Sequence, residues 1–410
     1  MKTIKQNLKS LTKSQFLLLK DYTKNSNALY NSSLYICNKY FEETGKYIGY
    51  NKLYNIIKTN IHYKNMTSFN AQAILKLVDQ NYRSYFALLR KKQSGHYSDS
   101  VHTPKYRKPK SEFILVFNSQ RVKLKNNILK LTKDIKIKFT YDIPGQIVQA
   151  IVKPNNFGSY TLLLTYKENN VVIPETDTKN FLSIDLGLDN LATCVSNVGP
   201  SFIVNGKPLK SYNNYYNKNK SKIQSELKVK NDMYYSTRLA NLNLKRGRFI
   251  DNYMSQSVAI IAKYCISKKI GKVVLGYNES WKQNINLGKA TNQHFVNVPY
   301  YNFKQKLRSK LESLQIELVE VNESYTSKCS SIDNELVENH NTYLGKRVSR
   351  GLFRSAEGIL LNADVNGAIN IARKVISEIN INEIWVFIVT PQVLNVFNLE
   401  NSFHILYENK

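Results

Sequence analysis

Two aspartates stand where a carboxylate is costly unless something uses it. Asp185 closes an apolar run in SIDLGLDN, just before a glycine, and Asp364 opens a helical stretch in LLNADVNGAINIARK. Alone, Asp185 reads as an acceptor in a strand-to-strand turn and Asp364 as a helix N-cap, with Asn366, Gly367, Asn370 and Arg373 following it. On neighbouring elements, however, two such carboxylates can hold divalent ions about 3.5–4 Å apart. One ion then activates water and the other stabilises the leaving oxygen of a phosphodiester. Hard oxygen ligands select magnesium or manganese.

That arrangement needs a third acid from the strand KVVLGYNESWKQ, where the expected position is Gly276. Two substitutes exist, Glu279 further along and Glu323 in VEVNESYTSK. Glu323 is preferred, because the carboxyl end of an adjacent parallel strand points into the same crevice, whereas Glu279 has already left the sheet. Glu320 falls on the face opposite Val319 and Val321.

The elements that must position these acids follow from periodicity. FLSIDLG, LATCVSN and SFIVN read as three consecutive strands, followed by a helical region from about 209 to 269 with a break at Gly247. Next come KVVLGYN as a strand, a helix over about 299–314, IELVEV as a strand and a helix over about 365–376. The order βββ-α-β-α-β-α is that of an RNase H-like mixed sheet, in which the start of the last helix faces the first strand and brings Asp364 toward Asp185. NEIWVFIVTPQVLNVF reads as a terminal strand.

Upstream, Thr12 and Gln15 predict a capping box, and helical periodicity runs to about Lys92, with a second strong helix from Thr67-Ser68. The polar face of that helix, with Lys76, Gln80, Arg83 and Arg90, is open to two readings, a solvated face or a nucleic-acid contact. HYSDSVHTPKYRKPKSEF reads as a linker or exposed binding loop, and the short period-two runs from FILVFNSQ to YTLLLTYKE predict a small β-barrel. Lys123 with Lys125, and Lys136 with Lys138, each share one face of a strand.

The 410 residues allow two or three domains, and 42% hydrophobic with 11% aromatic residues exclude a wholly disordered chain. A net charge of +29 points to a polyanion, with an anionic membrane as the competing partner. No run of about 18 apolar residues appears and MKTIKQNLKS has no apolar signal core, so a soluble cytoplasmic protein is expected. Cys37, Cys194, Cys265 and Cys329 form no C-x-x-C pair and read as ordinary thiols.

The segments SIDLGLDNLATCVSN, VVLGYNESWKQNINLGK, ESYTSKCS, YLGKRVSRGLFRS and LNADVNGAINI, with SFNAQAILKLVDQNYRSYF and TPKYRKPK upstream, resemble the TnpB/OrfB family. These are transposon-encoded RNA-guided nucleases related to type V CRISPR effectors. The resemblance implies an α/β multidomain fold: a wedge-like β-barrel (1–10 and 96–178), a helical recognition domain (11–95), a RuvC-like nuclease domain (179–324 and 364–380), an insertion (325–363) and a C-terminal segment (381–410). It implies a prokaryotic, nucleoid-associated monomer or homodimer that cleaves double-stranded DNA beside a short adjacent motif, using a guide RNA from the transposon end. The catalytic, metal-holding acids would be Asp185, Asp364 and, as in the subgroup whose glutamate precedes Y-T-S, Glu323, with Mg2+ or Mn2+ as cofactor. Nucleic-acid contacts are expected at Asn70, Gln72, Lys76, Lys105, Tyr106, Arg107, Lys108, Lys282, Lys346, Arg347, Arg350 and Arg354. Relatives carry a four-cysteine zinc ribbon before the last aspartate. This chain keeps only Cys329 there, and Asp333 and His340 have no ligand spacing, so a zinc-free insertion is expected. Two other functions fit the same residues: a nuclease-dead RNA-guided repressor of transcription and a transposase that joins DNA strands.

Overall fold

The computed structural model describes residues 1–155, 158–169, 173–231, 233–278, 298–376 and 378–397. Glu279 and Lys282 lie outside the described residues. The chain divides into two units, Met1–Val171 and Val172–Lys410.

The first unit packs helices on sheet. Strand β1 (Lys2–Leu8) leads into helix α1 (Lys13–Thr44), which begins on the expected capping box: Gln15 N–H donates to Thr12 Oγ1 at 3.2 Å and Thr12 N–H to Gln15 Oε1 at 3.1 Å. Gly45, at φ 67°, closes the helix in the left-handed conformation that glycine tolerates best. Helices α2 (Tyr50–Ile57), α3 (Ile61–Lys64) and α4 (Ser68–Gln93) follow. Strands β2 (Leu115–Asn118), β6 (Gly145–Asn155) and β7 (Ser159–Glu168) join β1 in an antiparallel sheet of order β1-β7-β6-β2. Strands β3 (Lys123–Lys125), β4 (Ile128–Lys130) and β5 (Lys136–Lys138) form a separate three-stranded meander.

The expected closed barrel is therefore not formed among the described residues. Four strands are too few to curl shut, and the sheet instead buries Leu115, Phe117, Val152 and Leu162 in one core with Leu19, Leu29, Ile74 and Val78 of the helices. The basic stretch before β2 is docked rather than loose, because Asn27 and Asn31 of α1 donate to the backbone carbonyls of Lys108 and Arg107.

The second unit is a six-stranded sheet covered on both faces. Its strands are β8 (Asp177–Leu186), β9 (Asn190–Ser196), β10 (Phe202–Asn205), β11 (Ile270–Gly276), β12 (Glu317–Val321) and β16 (Gln392–Leu394), in the order β12-β11-β8-β9-β10-β16. β8, β9 and β10 run antiparallel, while β11 is parallel to both β8 and β12. Parity along β8 separates core from site. Leu182, Ile184 and Leu186 face helix α6 (Thr237–Ser267) and helix α7 (Tyr300–Glu312) in one large core. Each such buried side chain contributes about 1.5–3 kcal/mol, and that sum fixes the register. Asp185 is thereby turned to the other face, against helix α8 (Ala363–Arg373), where Val195, Val365 and Ile369 make a smaller core with helix α9 (Ile381–Ile388). A three-stranded antiparallel sheet, β13 (Lys346–Ser349), β14 (Leu352–Arg354) and β15 (Leu360–Asn362), precedes α8.

Three expectations about this unit are corrected. The break in the long helical region comes after helix α5 (Lys207–Asn231), where Ser236 caps α6 by accepting from Leu239 N–H at 3.1 Å, and Gly247 lies inside α6. A capping serine is the stronger signal, since one glycine costs a helix only about 1 kcal/mol. The last segment is a helix before it is a strand: Asn380 caps α9, and the apolar run buries Ile384 and Ile388, one helical turn apart. Only Gln392–Leu394, after Pro391, pairs in the sheet, parallel to β10. Finally, Asn362 rather than Asp364 caps α8, its Oδ1 accepting from Asp364 N–H at 2.9 Å and Val365 N–H at 3.2 Å. The Asp364 carboxylate is left to other partners.

Candidate active site

Asp185 enters the crevice beside Gly276, since Leu275 of β11 pairs with Ile184 of β8. Two glycines make room for the acids. A Cβ on Gly367 of α8 would lie 2.9 Å from Asp185 Oδ2, so the helix approaches the strand that closely only because this residue has no side chain. A Cβ on Gly276 would lie 3.3 Å from Glu323 Oε2 and 2.5 Å from Ile371 Cδ1. The space a side chain at position 276 would need is thus bordered by the Glu323 carboxylate, arriving from the strand alongside.

Asp185 feels both of the other carboxylates. Burial, followed by the charges of Asp364 and Glu323, pushes the Asp185 carboxyl well above the usual carboxylate range, against the lowering effect of Arg347. Burial pushes Glu323 up to about 7, opposed by Lys374. That lysine donates to the backbone carbonyls of Asn322 and Ser324, at 2.6 and 2.9 Å, on either side of the glutamate. Glu323 Oε2 itself is buried without a hydrogen-bond partner. Asp364 accepts from Asn190 Nδ2 at 2.6 Å and lies 3.7 Å from the Arg347 guanidinium. Tyr300 braces the turn after Asp185 by donating to the Gly187 carbonyl at 2.8 Å.

Among the described residues, no three His, Cys, Asp or Glu side chains lie close enough, as they stand, to share one metal ion. The donor chemistry nonetheless fits a hard divalent cation: three carboxylates with no thiol or imidazole, one of them presenting an orphaned buried oxygen that a cation would satisfy.

The insertion ahead of Asp364 is tied to α8 by amides. Asn366 accepts from Ser331 N–H and Oγ at 2.9 and 2.8 Å and donates to the Cys329 carbonyl at 2.9 Å. Asn370 donates to the carbonyls of Thr326 and Cys329 at 2.9 and 2.7 Å. Glu335 accepts from the backbone N–H of Ser330 and Leu344, and Arg373 donates to the Glu335 carbonyl. Cys329 is buried with its thiol raised by desolvation, Asp333 accepts from Ala356 N–H, and His340 meets the Leu336 carbonyl. The helical spacing of Asn366 and Asn370 was visible in the sequence, but their role as a clasp was not.

The expected nucleic-acid contacts separate into two groups. Lys105, Lys108, Lys346 and Arg354 present exposed side chains, as do Lys76 and Tyr106. Arg347 lies beside Asp364, and Arg350 is paired with Asp189, which Lys210 also holds at 2.8 Å. Burial raises the Asp189 carboxyl, but these cations outweigh it and the net direction is down. By contrast, Asn70 is fully buried, and neither polar atom of its amide has a hydrogen-bond partner. Gln72 is half-buried. Arg107 belongs to the scaffold: its guanidinium stacks on Phe113 at 3.9 Å and Nε donates to Asn27 at 3.0 Å. Lys76 borders a polar cleft of about 680 Å³ between α2 and α4, lined also by Tyr50, Asn51, Lys52, Gln80 and Arg83.

Comparison with known proteins agrees with this architecture. Residues 164–282 match the family OrfB_IS605, described as "Probable transposase", and residues 300–371 match the Cas12f1-like TNB domain. Among solved structures, the chain is similar to the protein of a Cas12f1-sgRNA-target DNA complex, with a TM-score of 0.56, 16% identity, and 88% of this chain and 83% of that one covered. It is also similar to the mini-RNA-guided endonuclease CRISPR-Cas phi3, with a TM-score of 0.50, 12% identity, and 91% and 92% covered. No curated protein matches the sequence. The class is therefore a mixed α/β multidomain fold like that of the Cas12 effectors. Within that class, the resemblance to transposon-encoded TnpB/OrfB proteins is borne out in the two matched segments.

Proposed function

We propose that this protein is an RNA-guided DNA endonuclease in which Asp185, Glu323 and Asp364 hold the catalytic metal ions. The observation that carries the reading is the buried, unpartnered Oε2 of Glu323 beside Gly276, near a buried Asp185 whose carboxyl is raised further by the charges of Asp364 and Glu323. A structural carboxylate so desolvated would be expected to have a partner. The strand order β10-β9-β8-β11-β12, three antiparallel strands leading into a parallel pair, supports an RNase H-like, RuvC-type nuclease domain over 179–324 and 364–380. The open sheet of the first unit takes the wedge role, its helices the recognition role, and 325–363 is a zinc-free insertion.

When bound, magnesium or manganese ions supply an activated water and a counter-charge for the departing oxygen. The chain's own groups do the positioning. Asn190 orients Asp364, Gly367 lets Asp185 sit against α8, and Tyr300 fixes the turn behind it. Arg347, with Lys346, Arg350 and Arg354 on the same hairpin, lies where it can hold the phosphates of the strand being cut. In the first unit, the cleft offers ammonium groups from Lys52 and Lys76 and amides from Asn51 and Gln80. These are the groups that read base edges in a duplex, which suits recognition of a short adjacent motif. The guide RNA would come from the transposon end, and the protein would act as a monomer or homodimer on double-stranded DNA.

The test is cleavage of a target plasmid by protein loaded with RNA transcribed from the transposon end, with magnesium, manganese or neither. Metal-dependent double-strand breaks, absent from Asp185→Ala, are expected. A second reading is favoured by one observation: Asp364 is engaged by Arg347 and Asn190, and the three acids are not gathered as they stand. Stable guide and target binding with no cutting in either metal would establish the nuclease-dead repressor. Joined rather than free ends would establish a transposase.

A further inference from the structure

The meander β3-β4-β5 carries a charge pattern that its own fold disfavours. Register sets Lys123 directly opposite Lys130, and Lys130 directly opposite Lys136; the next row is Lys125, Ile128 and Lys138. Residues opposite one another, and residues two apart on one strand, point to the same side. All five lysines are therefore on one face. All five are exposed, while on the reverse Leu129 and Ile137 belong to the core and Leu124 packs partly buried against it. Among the described residues none of the five ammonium groups has a carboxylate partner, and the acid of this segment, Asp134, lies in the β4–β5 turn rather than on the face.

Like charges directly opposite across strands are destabilising. A surface chosen only for solubility would intersperse both signs. Here three ammonium groups line up across three strands with two more in the next row. The rows are separated by two residues of strand, about 6.8 Å, which is about the axial rise of two nucleotides along one strand of a duplex. Flexible four-carbon stems let each ammonium settle on the nearest anionic oxygen without base selectivity.

We propose that this five-lysine face binds the phosphodiester backbone of a nucleic acid, as a sequence-independent contact separate from the acid crevice and from the cleft beside Lys76. The proposal rests on the reading that the protein works with nucleic acid. Its partner relieves the cross-strand repulsion by neutralising the face, and condensed counterions released from the polyanion drive binding.

The experiment uses the full chain with all five lysines changed to glutamine (K123Q, K125Q, K130Q, K136Q and K138Q) and a second variant with arginine at the same five positions. Binding to a synthetic RNA hairpin and to a DNA duplex of equal charge is measured across a salt series. For the glutamine variant, the slope of log K against log salt should shrink by about 3 to 4 on the probe that uses the face, with affinity near physiological salt down about 10²-fold or more. The arginine variant should keep both. Whichever probe loses affinity identifies the nucleic acid served. Unchanged slopes and affinities on both probes overturn the proposal while leaving the nuclease reading intact. Absence of salt-dependent binding by the unaltered protein would instead remove the nuclease reading, and is seen before any variant is made. Removal of like charges should leave the melting temperature of the glutamine variant equal or higher; a lower one would refute the premise that the face is repulsive in the free protein.

Discussion

Glu320, inside β12, and Glu323, two residues past its end, meet opposite fates. Glu320 is met by Lys304 at 3.0 Å and by Arg308, both from α7. Burial raises its carboxyl, yet the two cations outweigh that and the net direction is down. Glu323 turns toward the opposite side of the sheet, where burial pushes its carboxyl up to about 7, only partly opposed by Lys374. One carboxylate is compensated by the fold and the other is left with an orphaned oxygen. A carboxylate that serves stability is paired, and one kept at a cost to stability is being kept for something else.

The contrast is sharpest in variants. Glu323→Gln and Asp185→Asn should each lower cleavage by about 10³-fold or more, several kcal/mol of lost transition-state stabilisation. The melting temperature should stay level or rise, because a desolvated charge has been removed. A fall in stability with activity preserved would reverse the assignment. Gly367→Ala is next. The new methyl must displace the Asp185 carboxylate, and a shift of about 1 Å is worth about 10²-fold in rate, measured as single-turnover cleavage with guide and target binding unchanged.

Glu320→Gln should do the converse of Glu323→Gln. It strands Lys304, whose side chain is only 6% exposed, and should cost about 2 kcal/mol in denaturant unfolding while cleavage per folded molecule is unaffected. The smallest effect is its pH dependence. Because the folded value of Glu320 lies below the unfolded one, its stabilisation is present above the unfolded pKa of about 4.3 and is lost as pH falls through the folded value. The difference in melting temperature between Glu320→Gln and the unaltered protein should therefore close below about pH 4. A difference that persists there would show that packing rather than charge holds this corner.

Much of the scaffold was legible because strong signals were local. The alternation through Leu182, Ile184 and Leu186 marks β8 and its inward face, and Thr12 with Gln15 marks the start of α1. What was not legible depended on partners far along the chain. Whether the short strands closed a barrel was decided by α1 and α4 covering the sheet, and nothing within the strands reports that. Asn70 and Arg107 look like ligands in a basic sequence, and their settings, a buried amide for the first and contacts with Phe113 and Asn27 for the second, could not be read there. Gly276 was visible as a missing acid. That Glu323 borders the space beside it needed the register of β12 on β11.

Asn366 holds the insertion with both ends of its amide, and the next residue is Gly367. In a mobile peptide, an asparagine followed by glycine is where an amide most readily cyclises and hydrolyses to a carboxylate, because glycine leaves the next nitrogen free to attack. Here that nitrogen is fixed in a helix and the amide is fully buried, so the fold protects this bond. Once the chain opens, the protection ends. The product, an aspartate at position 366, could no longer donate to the Cys329 carbonyl and would add a further negative charge on the helix that carries Asp364. Chemical ageing at this asparagine is therefore coupled to unfolding, and its damage falls on the helix that meets Asp185.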